Sequence, residues 1–188
     1  MTTHEFVIVA TGVDPTSDDF ETRFFEAGCD DATVSFQRGL ILLDFARDAD
    51  RFDEALASAI EAVRAAGAEV VRIEPDPLVS LADIAARTGM SRAAMTQYAK
   101  GQRGRNFPPP AAKVASESPL WQWASVSEWL FENHKLPADA VVEAVVLKRA
   151  NELLDASAGA LRADLKASAA SHAATLEPPA PAPRRAAG

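Results

Sequence analysis

The chain has 188 residues, 48 % of them apolar and 24 % charged, with a formal charge of −8 and a single cysteine, Cys29. That composition fits a globular chain long enough for one large domain or two small ones, and one cysteine excludes an intrachain disulfide. No apolar run approaches the roughly 20 residues of a membrane span, and "MTTHEFVIVATGVD" lacks the basic and long apolar regions of a signal peptide, so a cytoplasmic setting is expected.

In chain order, Phe6 to Ala10 reads as a short buried strand. "PTSDDFETRFFEAG" reads as a helix, with acids at its start, Phe20 and Phe24 four apart, and Gly28 as its stop. Cys29 follows that stop and is read as a small structural residue rather than a reactive thiol. "ATVSFQRGLILLDF" reads as a hairpin turning at Gln37-Arg38-Gly39, where Gly39 accepts positive φ. "DADRFDEALASAIEAVRAAG" carries an apolar stripe of Phe52, Leu56, Ile60 and Val63 and ends at Gly67, the pattern of an amphipathic helix. "EVVRIEP" is the last strand. The order βαββαβ over residues 1–75 matches the ferredoxin-like pattern, a fold that assigns no function by itself. The prolines of "EPDPLVS" predict a linker without strand pairing.

Charge is uneven along the chain. Residues 1–78 hold 17 acids against 6 bases, a net of −11, whereas residues 79–133 carry +2 and residues 134–188 carry +1. From Ile84 to Ser116 there is no Asp or Glu, while Arg87, Arg92, Lys100, Arg103, Arg105 and Lys113 all fall inside. A local basic surface is what contact with nucleic-acid phosphates requires.

That stretch has its own element pattern. Ser80 and Asp83 form a capping-box signature before a helix from Leu81 to about Thr88. Gly89 suits a left-handed turn, and Ser91 caps a second helix from Arg92 to about Lys100. Ile84, Ala85, Met90, Met95 and Tyr98 are spaced to meet between the two helices, leaving Arg92, Thr96, Gln97 and Lys100 outside the seam. A basic loop from Gly101 to Arg105 follows, then Phe107-Pro108-Pro109-Pro110 and a return strand ending at Trp123. Ser125, with Glu128 three residues on, predicts the N-cap of the next helix. The tryptophans read as core residues, with base stacking as the alternative.

With Leu81 as first position, Ala85 is fifth, Gly89 ninth, Met95 fifteenth and Tyr98 eighteenth, and at those positions the segment resembles the helix-turn-helix family. Over Val79 to Leu130 it resembles the small winged-helix domains of the excisionase and MerR-like families: helix-turn-helix, Gly/Arg loop, Phe-Pro wing entry, and Trp-bearing strand before a helix. The resemblance leaves out the N-terminal domain, and here the reader sits in mid-chain. It implies a winged helix-turn-helix over residues 79–133 that binds double-stranded DNA, with the second helix in the major groove. The implied contacts are Arg92 to guanine, Gln97 to adenine, and Thr96 to a thymine methyl or a phosphate. Ser91, Lys100 and Lys113 would meet phosphates, and Arg103 and Arg105 the backbone or minor groove.

"LPADAVVEAVVLKRANELLDA" predicts a helix rather than a Val-rich strand, with Val142, Val146 and Ala150 on one face. With a second Ala-rich helix it makes residues 137–176 a candidate dimerisation element, with the sheet edge of the N-terminal domain second. Residues 177–188, "EPPAPAPRRAAG", predict a disordered tail. His4, His134 and His172 have no ligand spacing, and no nucleophile motif or phosphate loop is present, so no metal, cofactor or catalytic residue is expected. The expected fold class is α+β. The expected function is a sequence-specific DNA-binding regulator acting as a homodimer, with no membrane partner. The alternative is a protein-interaction module, an antitoxin or adaptor, whose acidic N-terminal domain engages a partner protein. Small-ligand sensing by the N-terminal sheet is a third idea.

Overall fold

The computed structural model describes residues 1–154 and 158–176. The expected tail at 177–188 lies outside the described residues. The chain is a mixed α+β protein. Its N-terminal unit runs β1 (Thr2–Thr11), α1 (Phe20–Glu26), β2 (Ala32–Gln37), β3 (Leu40–Ala49), α2 (Phe52–Ala65) and β4 (Glu69–Glu74). The four strands form one antiparallel sheet in the order β2-β3-β1-β4.

The pairing explains the element bounds. β1 begins at Thr2, four residues before the apolar run, because Thr2 to Glu5 ladder against Ala49 to Ala46 of β3. α1 starts only at Phe20. Ahead of it the Asp14 carboxylate takes the Thr16 N–H at 2.9 Å and its hydroxyl at 2.8 Å, so local side-chain bonds outcompete the helix. Arg38 and Gly39 both have positive φ, 55° and 81°, as a tight two-residue hairpin requires. Phe6, Ile8, Ile41, Leu43 and Phe45 on one sheet face meet Phe24, Leu56, Ile60 and Val63 from the helices. Cys29 is buried in this core, and burial pushes its thiol up to about 11, which suits the structural reading.

The central unit comprises β5 (Leu78–Val79), α3 (Leu81–Thr88), α4 (Arg92–Ala99), β6 (Trp121–Gln122) and α5 (Trp123–Glu132). The expected linker is partly a strand: Leu78 and Val79 pair antiparallel with Gln122 and Trp121. The prolines do not prevent this, because they precede the paired residues. Ser125 is not the cap of α5. The helix begins at Trp123, whose N–H donates to the Pro77 carbonyl at 2.7 Å, so the linker satisfies the helix start. Glu128 instead faces His172 at 3.0 Å.

The remaining helices are α6 (Ala138–Glu152) and α7 (Ala158–Leu176). Their apolar stripe is spent within the chain. Val146, Leu147, Ala150, Leu165 and Ala169 join the N-terminal core, with Val142 packed against it. Ala144 and Val145 of the same α6 pack on the central core. The face expected to serve dimerisation is therefore covered. Among the described residues, no helix is long and apolar enough to cross a membrane.

Candidate nucleic-acid interface

α3 and α4 form a helical hairpin whose two starts are capped by side chains. The Ser80 hydroxyl oxygen accepts the Asp83 N–H at 3.2 Å while the Asp83 carboxylate accepts the Ser80 N–H at 2.8 Å. The Ser80 hydroxyl donates to the same carboxylate at 2.7 Å, and this bond together with the Ser80 N–H holds the Asp83 carboxyl below the usual range. Gly89 ends α3 at φ 65°, and the Ser91 hydroxyl oxygen accepts the Ala94 N–H at 3.2 Å to start α4. Ile84, Ala85, Met95 and Tyr98 are buried between them, and Met90 is half-buried.

Aromatic rings hold the rest of the surface in place. Trp121, Trp123 and Trp129 are all buried, which removes them as a stacking platform. The Trp129 indole N–H donates to the Arg105 carbonyl at 2.8 Å, and that of Trp121 to the Pro108 carbonyl at 3.0 Å. A Cβ on Gly104 would meet Trp129 at 3.1 Å and Tyr98 at 3.2 Å, so the basic loop lies directly on these rings. Beyond Pro110 the chain makes a narrow hairpin, with Ala112 and Leu120 exchanging N–H···O bonds of 3.1 and 2.9 Å.

Arg92, Thr96 and Lys100 line one open cleft of about 450 Å³ between α4 and this hairpin, opposite Pro110, Glu117, Ser118 and Pro119. Arg92 and Lys100 are exposed. Thr96 is half-buried and its hydroxyl donates to the Arg92 carbonyl at 2.9 Å, which leaves its methyl for contact. Ser91 is exposed, but its oxygen is engaged as the cap. Gln97, Arg105 and Lys113 are exposed and lie outside the cleft lining. Arg103 is exposed too, and places its guanidinium 5.2 Å from the Tyr98 ring centroid.

Two charges behave differently from the sequence pattern. Arg87 leaves the basic surface: it donates to the Asp76 carbonyl at 2.9 Å, lies over Trp123 at 5.1 Å, and burial holds its guanidinium below its ordinary value. Glu117 joins the cleft. As the first acid after the acid-free stretch it was visible in the sequence, but only the hairpin returns it to Arg92 and Lys100. Among the described residues, no group of three or more His, Cys, Asp or Glu is placed to hold a metal ion. No protein-family model matches the chain, and comparison with curated proteins and with solved structures likewise gives no match.

Proposed function

We propose that the chain is a sequence-specific double-stranded DNA-binding protein, a transcriptional regulator, with residues 79–133 acting as a winged helix-turn-helix. The N-terminal unit is read as a ferredoxin-like domain, a reading that rests on its βαββαβ order and its β2-β3-β1-β4 sheet. The observation that carries the function is the α3–Gly89–α4 hairpin. It offers Arg92 at an exposed, side-chain-capped helix start, inside a stretch of 33 residues that holds no acid. In this reading α4 enters the major groove, Arg92 pairs bidentately with guanine, and Gln97 reaches an adenine edge. Lys100, Arg103, Arg105 and Lys113 neutralise phosphates on either side, with the Ser91 hydroxyl beside them. The strongly negative N-terminal unit is repelled by the duplex, which orients the approach.

The test is a mobility shift with duplexes selected from a random library. Arg92→Ala with Arg105→Ala is expected to weaken binding by at least about tenfold, since one bidentate pair is worth about 1–3 kcal/mol. Undiminished binding by that double variant refutes the assignment.

The second reading, a protein-interaction module such as an antitoxin or adaptor, is favoured by the uncovered sheet face. By register that face carries exposed Glu5, Asp44, Asp48 and Glu69, while its Arg72 is bonded to Glu74. The two readings are compatible, because they use different segments of the chain, residues 1–75 and 79–133.

A further inference from the structure

The two edges of the four-stranded sheet are finished differently. β4 carries a register shift opposite Val9 and Ala10 and the charged residues Glu69, Arg72 and Glu74. Asn151 of α6 also covers it, accepting the Ile73 N–H at 2.9 Å and donating to the Ile73 carbonyl at 3.1 Å. These are the devices that stop an edge strand from recruiting another. Among the described residues, β2 at the other edge has none of them. Its sequence Ala-Thr-Val-Ser-Phe-Gln contains no charge and no proline, its register is regular, and it pairs only with β3.

The phase of its backbone follows from one bond. The Ala46 N–H donates to the Asp31 carbonyl at 3.1 Å, so Asp31 and Ala46 are a hydrogen-bonded pair. Such pairs alternate along an antiparallel ladder, so Thr33, Ser35 and Gln37 bond to β3 while Ala32, Val34 and Phe36 turn their backbone groups outward. The Ala32 N–H is taken by the Cys29 carbonyl at 3.1 Å. Among the described residues, nothing pairs with the Ala32 carbonyl or with either backbone group of Val34 and Phe36.

We propose that β2 is a homodimer interface, pairing antiparallel with β2 of a second copy about a two-fold axis through Val34. Val34 exchanges two bonds with its counterpart, and each Phe36 N–H donates to the facing Ala32 carbonyl. Three independent features select this register. Outward residues must face outward residues, which removes every odd shift. Phe36, 47 % exposed, then stands over the small Ala32 of the second copy, beside an open cleft of about 430 Å³ that Ala32, Val34, Cys29 and the 66 % exposed Phe25 line. The register also sets Asp30 opposite Arg38 at both ends. Both are exposed, and among the described residues neither has an ion-pair partner. A slip by two residues loses the charge match and moves Phe36 off Ala32. The result is an isologous contact that continues the sheet across both copies. It does not depend on DNA binding.

Sedimentation velocity of the full chain without DNA tests it. The wild type is expected to sediment as a dimer. Arg38→Asp raises the dimer dissociation constant by about tenfold or more, since both symmetric pairs become repulsive, and adding Asp30→Arg restores it. Val34→Pro is expected to give a monomer that still folds, read as a retained far-UV circular dichroism spectrum and a cooperative melt, because the lost N–H faces away from β3; its midpoint falls by the stabilisation that dimerisation supplied. A wild-type chain that is monomeric at about 100 µM overturns the proposal. So does a dimer indifferent to Arg38→Asp, or one that the second reversal fails to rescue.

Discussion

The N-terminal and central units build their cores by different means. The N-terminal core is aliphatic and phenylalanine-rich, with Ile8, Leu43, Leu56 and Ile60 fully buried between a long-stranded sheet and α2. Its backbone groups are satisfied by ladders of up to nine residue pairs. The central unit has helices of eight to ten residues and two-residue strands, so most of its connecting backbone has no ladder to join. Its core compensates with Tyr98, Phe107, Trp121, Trp123 and Trp129, and two indole N–H groups take up loop carbonyls. A ring that is apolar in body and polar at its tip fills a core and fastens a loop with one side chain. The lesson is that where regular structure is scarce, side chains must do the backbone's hydrogen bonding.

The largest expected effect comes from Leu56→Ala in the sheet core, a loss of about 2–5 kcal/mol. Because α6 packs on both cores, the two units are expected to unfold together. All three tryptophans lie in the central unit, so fluorescence reports on it alone while circular dichroism reports on both. The Leu56→Ala midpoints by the two probes should move in step in a urea titration. A fluorescence midpoint that stays put would separate the two units. A smaller effect is expected from Trp129→Phe. It keeps most of the ring but strands the Arg105 carbonyl, at about 1–3 kcal/mol, and should speed amide exchange in the loop at 101–106. Exchange unchanged from wild type would mean the indole bond does not hold the loop. The smallest is Ser80→Ala at the start of α3, about 1 kcal/mol. Its pH dependence has a defined sign. The Asp83 carboxyl is held low by its bonds to Ser80, so its contribution is present above the ordinary carboxylate range and is lost as pH falls through the lowered folded value. Stability measured against pH should show that acid-side loss in the wild type and less of it in Asp83→Asn.

Much of the local structure was legible. The α2 stripe, the Arg38–Gly39 turn and the Ser80, Gly89 and Ser91 signals each lie within a few residues of what they control. So does the order of elements, because each element carries its own period. The misjudged places all involve distant partners. β1 is longer than its apolar run because β3 pairs with its polar half. Trp123 starts α5 because Pro77 supplies the acceptor, overriding Ser125. The Val142–Val146–Ala150 face reads as a free surface in isolation and is covered by the N-terminal core. The candidate interface was legible in its residue types but not in its geometry, with Arg87 drawn inward by Asp76 and Trp123, and Glu117 folded back toward Arg92.

The sequence by itself determined where the helices, turns and caps fall and where acids are withheld. These depend on side chains one to four residues apart, whose contacts form whatever the rest of the chain does. Only the tertiary structure decided which sheet edge is covered, which basic side chains face solvent, and which apolar stripe is already spent. Those outcomes depend on competition for the same surface between segments far apart in the chain. Asn151 reaching Ile73 at one edge, while among the described residues nothing comparable reaches β2 at the other, is that competition in its simplest form.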